Sequence, residues 1–236
     1  MLLIDAGNSR LKWGVWQASG WLEQGSLAND NLPDRAPWQA FAPFVAAWVA
    51  QVGPAHVADW VRQHTTAHAW HWPHAMAQQC GVENRYRQPE QLGVDRWLAL
   101  IAARGRHAGP LLVVSSGTAV TVDALDGAGV FLGGAILPGL GLMRAALTSR
   151  TAQLQDVPGQ WQRFPRDTAD AIQTGCVNAI AGAIRTQWQA LAELQPPQLC
   201  LLTGGDAAEL MPHLPGLPVQ REDNLVLEGL LRVAQS

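Results

Sequence analysis

The chain has 236 residues, 48% hydrophobic and 15% charged, which is enough apolar material for one large or two small packed domains and not the profile of a disordered chain. A net charge of -3 gives no basic field for nucleic acid, and no apolar run is long enough to span a membrane. Three isolated cysteines, and a Met1 followed by a strand rather than a charged leader, predict a cytoplasmic globular protein.

Residues 2–28 predict a β-meander: LLIDAG, then the alternating RLKWGVW, then WLEQGSL after a Ser19-Gly20 turn. Asp5 stands where the first strand ends, a position that suits either a turn cap or a magnesium ion held through water. Lys12 faces either phosphates or solvent. PWQAFAPFVAAW (37–48) predicts a helix, 55–60 a strand, and the His-rich stretch from His64 a further helix. His64 and His68 stand four apart, with His71 and His74 beyond. No cysteine or carboxylate close in sequence completes a zinc set, and the neighbouring tryptophans, of eleven in all, read as core or interface.

Trp97, Leu98, Ile101 and Ala102 predict a helix face whose first turn is Gly93-Val94-Asp95-Arg96. An Asp there either complements the helix dipole or accepts a proton from a hydroxyl, while Arg96 pairs at the surface or holds an anion. LLVVSSGTAVTVD (111–123) predicts two strands joined by a tight Gly117-Thr118 loop of the kind that holds phosphate oxygens. The first strand has the same grammar: with Gly7 set on Gly117, Asn8 falls on Thr118. The two loops predict a duplicated domain with a nucleotide between the halves. Beyond them come a strand and helix (130–147) with a crowded glycine loop between, and a polar loop over 151–161. A helix capped by Asp167-Thr168 follows, with small residues Ala171, Gly175, Ala179 and Gly182 along one side. A buried strand then ends at Gly204-Gly205, where a flat ring has room against backbone, and NLVLEGLLRVA (224–234) closes the chain as a helix.

DxGN (5–8), GTAxTxD (117–123) and GGxA (204–207) resemble the phosphate-1, phosphate-2 and adenosine motifs of the acetate and sugar kinase/Hsp70/actin superfamily. Gly93–Arg96 together with GGAILPG (133–139) resemble the type III pantothenate kinases, some of which carry the name virulence accessory factor. The resemblance implies an α/β fold of duplicated RNase H-like (actin-like ATPase) domains, 1–108 and 109–236, with ATP in the cleft between them. It also implies a homodimer whose interface completes the substrate pocket. The implied reaction is ATP-dependent phosphorylation of the primary hydroxyl of pantothenate to 4'-phosphopantothenate, the first step of coenzyme A biosynthesis.

By position, the resemblance assigns Asp5, Ala6, Gly7, Asn8, Ser9, Arg10, Leu11 and Lys12, with Gly117 and Thr118, to the ATP phosphates, and Gly204 and Gly205 to the nucleotide's other end. Asp95 corresponds to the catalytic base. Tyr86, Gly93, Val94, Arg96 and Thr168 correspond to pantothenate contacts, Asp167 replacing the family's usual Asn. Asp5 implies Mg²⁺. The family commonly has an Asp near a monovalent cation, K⁺ or NH₄⁺, where this chain has Ser115; either that site is altered or absent here, or Ser115 and its carbonyl coordinate a weaker ion. Two rivals stand beside this reading: a kinase for another small hydroxy acid or sugar, and a non-catalytic nucleotide-binding accessory protein, which the loss of an acid at Ser115 keeps open.

Overall fold

Alternation in the first 28 residues yields three antiparallel strands, β1 (Leu2–Ala6), β2 (Arg10–Gln17) and β3 (Gly20–Ala28). After a 3₁₀ turn at Pro37–Phe41 come β4 (Phe44–Gln51), α1 (Ala55–Gln63), β5 (Ala67–His71), the small hairpin β6 (Gln78–Gln79) and β7 (Val82–Asn84), and α2 (Val94–Arg106). Then follow β8 (Leu111–Ser116), β9 (Ala119–Leu125), β10 (Val130–Pro138), α3 (Leu140–Arg150), α4 (Thr168–Leu194), β11 (Leu199–Thr203), α5 (Ala207–Leu210), β12 (Val219–Arg221) and α6 (Leu225–Gln235). This computed structural model describes residues 1–18, 20–150 and 157–236. The expected Ser19 turn residue and positions 151–156 of the expected polar loop lie outside the described residues.

Two compact units result: Met1–Arg106 with Asn224–Ser236, and His107–Asp223. In the first the sheet order is β3-β2-β1-β4-β5, with β1 antiparallel to β2 and parallel to β4, and β4 parallel to β5. In the second the order β10-β9-β8-β11-β12 repeats this pattern, antiparallel on one side of β8 and parallel on the other. The same mixed topology twice is a duplication, with β1 and β8 as the central strands. The closing helix α6, expected in the C-terminal half, packs on α2 and β1 in the first unit.

Leu2, Ile4 and Ala6 enter a core with Trp13, Trp38, Val49, Val57 and Val61. Strand alternation therefore turns Asp5 to the opposite face. In the second unit Leu112, Val114, Val120 and Val122 pack under Val177, Ile180 and Ile184 of α4, which turns Ser115 the other way in the same manner.

Four local expectations are overturned. The helix over 37–48 is a 3₁₀ turn followed by β4, because Pro43 lacks the N–H a continuing helix would use and the residues after it alternate. The strand over 55–60 is α1: Val57, Ala58 and Val61 bury one helical face, and Pro54 is its N-cap. The helix from His64 is instead β5 and irregular chain, with His71 stacked on Trp48 at 4.0 Å between centroids and His64 on Trp60 at 4.6 Å. Gly133 and Gly134 lie inside β10, beside a break in register, rather than in a loop. The tryptophans Trp13, Trp38 and Trp97 are buried. Asp167 caps α4 as expected, its Oδ1 accepting from Asp170 N at 2.9 Å.

Candidate active site

In the first unit, antiparallel register sets Lys12 directly across from Asp5, on the same face of the sheet. Burial pushes the Asp5 carboxyl up to about 7; Lys12 opposes that shift and the Asp95 carboxylate adds to it. The structure thus brings together Asp5, Lys12 and Asp95. A half-buried carboxylate kept from full ionisation, beside a second acid, fits magnesium, which takes few carboxylates and several waters. Among the described residues no group of three or more His, Cys, Asp and Glu side chains could hold a metal.

The loop from Gly7 to Ser9 closes on itself, Gly7 N donating to Arg10 O at 3.1 Å. Ala6 O accepts from Val52 N and Gly53 N at 3.1 and 2.8 Å. Asn8, Ser9 and Arg10 are exposed, whereas Ala6 and Leu11 are core residues that reach a ligand only through backbone. Arg10 Nε donates to Ser26 Oγ at 2.8 Å. Asn29, which the sequence patterns did not single out, holds this loop: its Nδ2 donates to Gly7 O and Asn8 O, both at 2.9 Å, and its backbone N to Ser9 O at 3.0 Å.

At the start of α2, Asp95 Oδ1 accepts from Arg96 N at 2.9 Å. The missing side chain of Gly93 leaves room for that carboxylate. Arg96 is buried, its Nη1 donating to the Tyr86 hydroxyl at 2.8 Å while its guanidinium lies 5.6 Å from the Tyr86 ring centroid. Asn84, also missed, shapes the loop bearing Tyr86: its Oδ1 accepts from Tyr86 N at 3.0 Å and its Nδ2 donates to Pro89 O at 3.1 Å. Tyr86, Asp95 and Arg96 therefore lie in one group, and Val94 is buried.

In the second unit, Gly117 N donates to Ala119 O at 3.1 Å and Gly139 N to Thr118 O at 2.9 Å, leaving Thr118 exposed on a two-residue loop. At the end of β11, Gly204 has φ +104° and its backbone lies against Ser116; Asp206 N donates to Ser116 O at 3.2 Å. Gly205 has open space beside it. Ser115 thus lies between the two glycine turns, on a strand whose neighbour Thr203 pairs with it. Burial, with Glu209 adding and Arg144 opposing, raises the Asp206 carboxyl above its ordinary value. A buried Gln173 bridges these elements, accepting from Arg144 Nη1 at 2.8 Å and donating to Glu209. No periodicity marks such a bridge.

Thr168 is exposed at the first turn of α4. It lines an apolar groove of about 920 Å³ with Pro138, Met143, Leu147, Asp167 and Ile172.

The type III pantothenate kinase profile matches residues 1–190. The type III pantothenate kinase of Aromatoleum aromaticum is 47% identical over 100% of this chain and 98% of its own length. That of Chromobacterium violaceum is 43% identical over 100% and 99%. Among solved structures, one described as a Baf family transcriptional activator from Campylobacter jejuni superposes with a TM-score of 0.62 at 20% identity, covering 100% of this chain and 98% of that one. One described as a 2-dehydro-3-deoxygalactonokinase from Sinorhizobium meliloti gives 0.61 at 14% identity, covering 99% and 98%. At such identities these two structures bear on fold alone, and the fold they share is that of the sugar kinase and actin-like ATPases. Full-length similarity and the profile match together mean that the chain belongs to the type III pantothenate kinase family.

Proposed function

We propose that this kinase transfers the γ-phosphoryl group of ATP to the primary hydroxyl of pantothenate, forming 4'-phosphopantothenate at the start of coenzyme A biosynthesis, with Asp95 as the base. The observation that carries the assignment is the position of Asp95: a partly exposed carboxylate at a helix start, with glycine before it and the fixed Arg96–Tyr86 pair after it.

Phosphoryl transfer depends on in-line placement and on neutralising charge more than on covalent help. The hydroxyl proton passes to Asp95 as the new O–P bond forms, and the bond from the γ-phosphorus to the bridging oxygen breaks, releasing ADP. Arg96 is suited to hold the pantothenate carboxylate, since its guanidinium is already oriented by Tyr86. Lys12 and the backbone N–H groups of the Gly7–Ser9 and Gly117-Thr118 loops bind phosphate oxygens. Magnesium held through water at Asp5 would offset charge on the β- and γ-oxygens. Gly204 and Gly205 provide a backbone surface for the nucleoside.

A homodimer is supported by the α4 stripe Ala171, Gly175, Ala179 and Gly182, all exposed, and by the exposed Leu142, Leu147 and Phe164. A second copy there would bring its surface to Thr168. A cytoplasmic location accords with three free cysteines. Ser115 gives a monovalent cation a hydroxyl where the family offers a carboxylate, so dependence on K⁺ or NH₄⁺ should be weak.

The test is ATP-dependent phosphorylation of pantothenate, read by mass spectrometry, with Mg²⁺ present and K⁺, NH₄⁺ or Na⁺ varied. Asp95→Asn should retain the fold and ATP binding while turnover drops by at least ~10²-fold. Near-normal turnover in that variant would remove Asp95 from the chemistry. Bound ATP without product under any ion would favour the accessory-protein reading.

A further inference from the structure

We infer that Asn29 is a positioning residue for the nucleotide phosphates, acting through the backbone of the Gly7–Ser9 loop; the inference rests on the reading of that loop as a phosphate holder. Asn29 follows the last residue of β3 and touches the loop at three successive carbonyls. Its carboxamide nitrogen donates one hydrogen to Gly7 O and the other to Asn8 O, both at 2.9 Å, and its backbone N–H donates to Ser9 O at 3.0 Å. A primary amide has two N–H donors, and both are used. The contacts also fix its orientation, because the flipped amide would set its own oxygen against two carbonyl oxygens.

The consequence for a ligand follows from peptide planarity. In a trans peptide the C=O and the following N–H point in opposite directions. Drawing the carbonyls of Gly7, Asn8 and Ser9 toward Asn29 therefore turns the N–H groups of Asn8, Ser9 and Arg10 away from it. A loop binds phosphate when its N–H groups face the anion, and repels it when carbonyl oxygens do. The Gly7 N–H donates to Arg10 O and lies outside the three peptides that Asn29 orients. The loop carries exposed side chains at Asn8, Ser9 and Arg10, and the Gly53 backbone lies against Gly7 O. The carboxamide adds two hydrogen bonds to that contact, at Gly7 O and Asn8 O.

The experiment compares Asn29→Ala, Asn29→Asp and Asn29→Ser with the parent enzyme, measuring KM for ATP, KM for pantothenate, kcat and melting temperature. Hydrogen exchange over residues 6–12 is followed in the parent with and without ATP. Loss of two neutral hydrogen bonds should raise KM for ATP about tenfold in Asn29→Ala. KM for pantothenate should stay within about twofold, and melting within about 3 °C, of the parent. Asn29→Asp, which loses both donors and sets an anion against the carbonyls, should exceed the alanine variant. Asn29→Ser, which keeps one donor, should fall between the parent and alanine, and supplies the measurement if the others fold poorly. An unchanged KM for ATP in the alanine and serine variants, with ATP still protecting residues 6–12 in the parent, would overturn the role of Asn29 and leave the loop reading intact. Absence of ATP protection over residues 6–12 would overturn the loop reading and the inference with it. Parallel rises in both KM values with a large fall in melting temperature would make Asn29 merely structural, and also overturn it.

Discussion

The two glycine loops, one in each unit, share a scaffold and differ in what fills it. Gly7 N donates to Arg10 O and Gly117 N to Ala119 O, both at 3.1 Å; Gly53 N donates to Ala6 O where Asp206 N donates to Ser116 O; Asn29 N donates to Ser9 O where Gly139 N donates to Thr118 O. The loop between β1 and β2 has three residues and that between β8 and β9 has two. The extra residue makes room for the Asn29 carboxamide. In the shorter loop the equivalent Gly139 presses its backbone on Gly117, where a Cβ would collide with the carbonyl. Both loops are met by a glycine backbone, Gly53 at Gly7 O and Gly139 at Gly117 O, and the first is held by a side chain besides. The strand ends diverge as well: the first carries the paired Asp5 and Lys12, the second only Ser115. Steric closeness is common to both copies, while the charged Asp5 and Lys12 belong to the first.

This contrast can be broken most severely at Gly139. Gly139→Ala has no flexible side chain to displace, so the loop backbone must move, and a loss on the order of 2–4 kcal/mol is expected in chemical denaturation. A loss below about 0.5 kcal/mol would show that the short loop is not held by closeness. Next comes Asp5. Its folded-state pKa is raised, so between the ordinary carboxylate range and about 7 the folded protein keeps a proton that the unfolded chain has released. Stability of the nucleotide- and metal-free protein should fall as pH rises through that window. Asp5→Asn should remove this slope and raise melting at pH 8 by roughly 3–8 °C, as scanning calorimetry across pH would reveal. An identical slope in the variant would mean that Asp5 ionises freely. The smallest effect belongs to Ser115→Asp, which gives the second strand end an acid like the first. Potassium should then stimulate turnover by about two- to tenfold more than in the parent, a gain of ~1 kcal/mol. Equal potassium curves would separate Ser115 from any cation site.

How far these features were readable depends on whether they rest on local pattern or on distant contact. The meander, the Asp167 cap and the α2 turn with Asp95 and Arg96 follow from alternation, capping chemistry and helical spacing within a few residues. The duplication showed in Gly7 and Gly117 because both follow an apolar strand. Residues 37–71 misled because alanine and tryptophan are apolar at any period, so a strand such as Phe44–Gln51 and a helix such as Ala55–Gln63 look alike until Pro43 and Pro54 are weighed as breakers. Asn29 and Gln173 were not readable at all. Each works through partners about 20 or more residues away, Gly7 and Asn8 for one and Arg144 and Glu209 for the other. The strands β6, β7 and β12 are too short, at two or three residues each, to show a period.

The return of α6 to the first unit has a consequence for how the protein is made. Glu228 pairs with Arg106, and Arg232 donates to Gly105 O at 3.0 Å, so the end of α2 meets segments more than a hundred residues later. During synthesis the second unit, continuous from His107 to Asp223, can leave the ribosome whole. The first unit must wait, its α2 surface uncovered, until Asn224–Ser236 emerges roughly ten seconds later at a typical elongation rate. The half of the molecule that is translated first is thus completed only by the last residues of the chain, and a chain cut short near residue 223 would lack the helix that closes it.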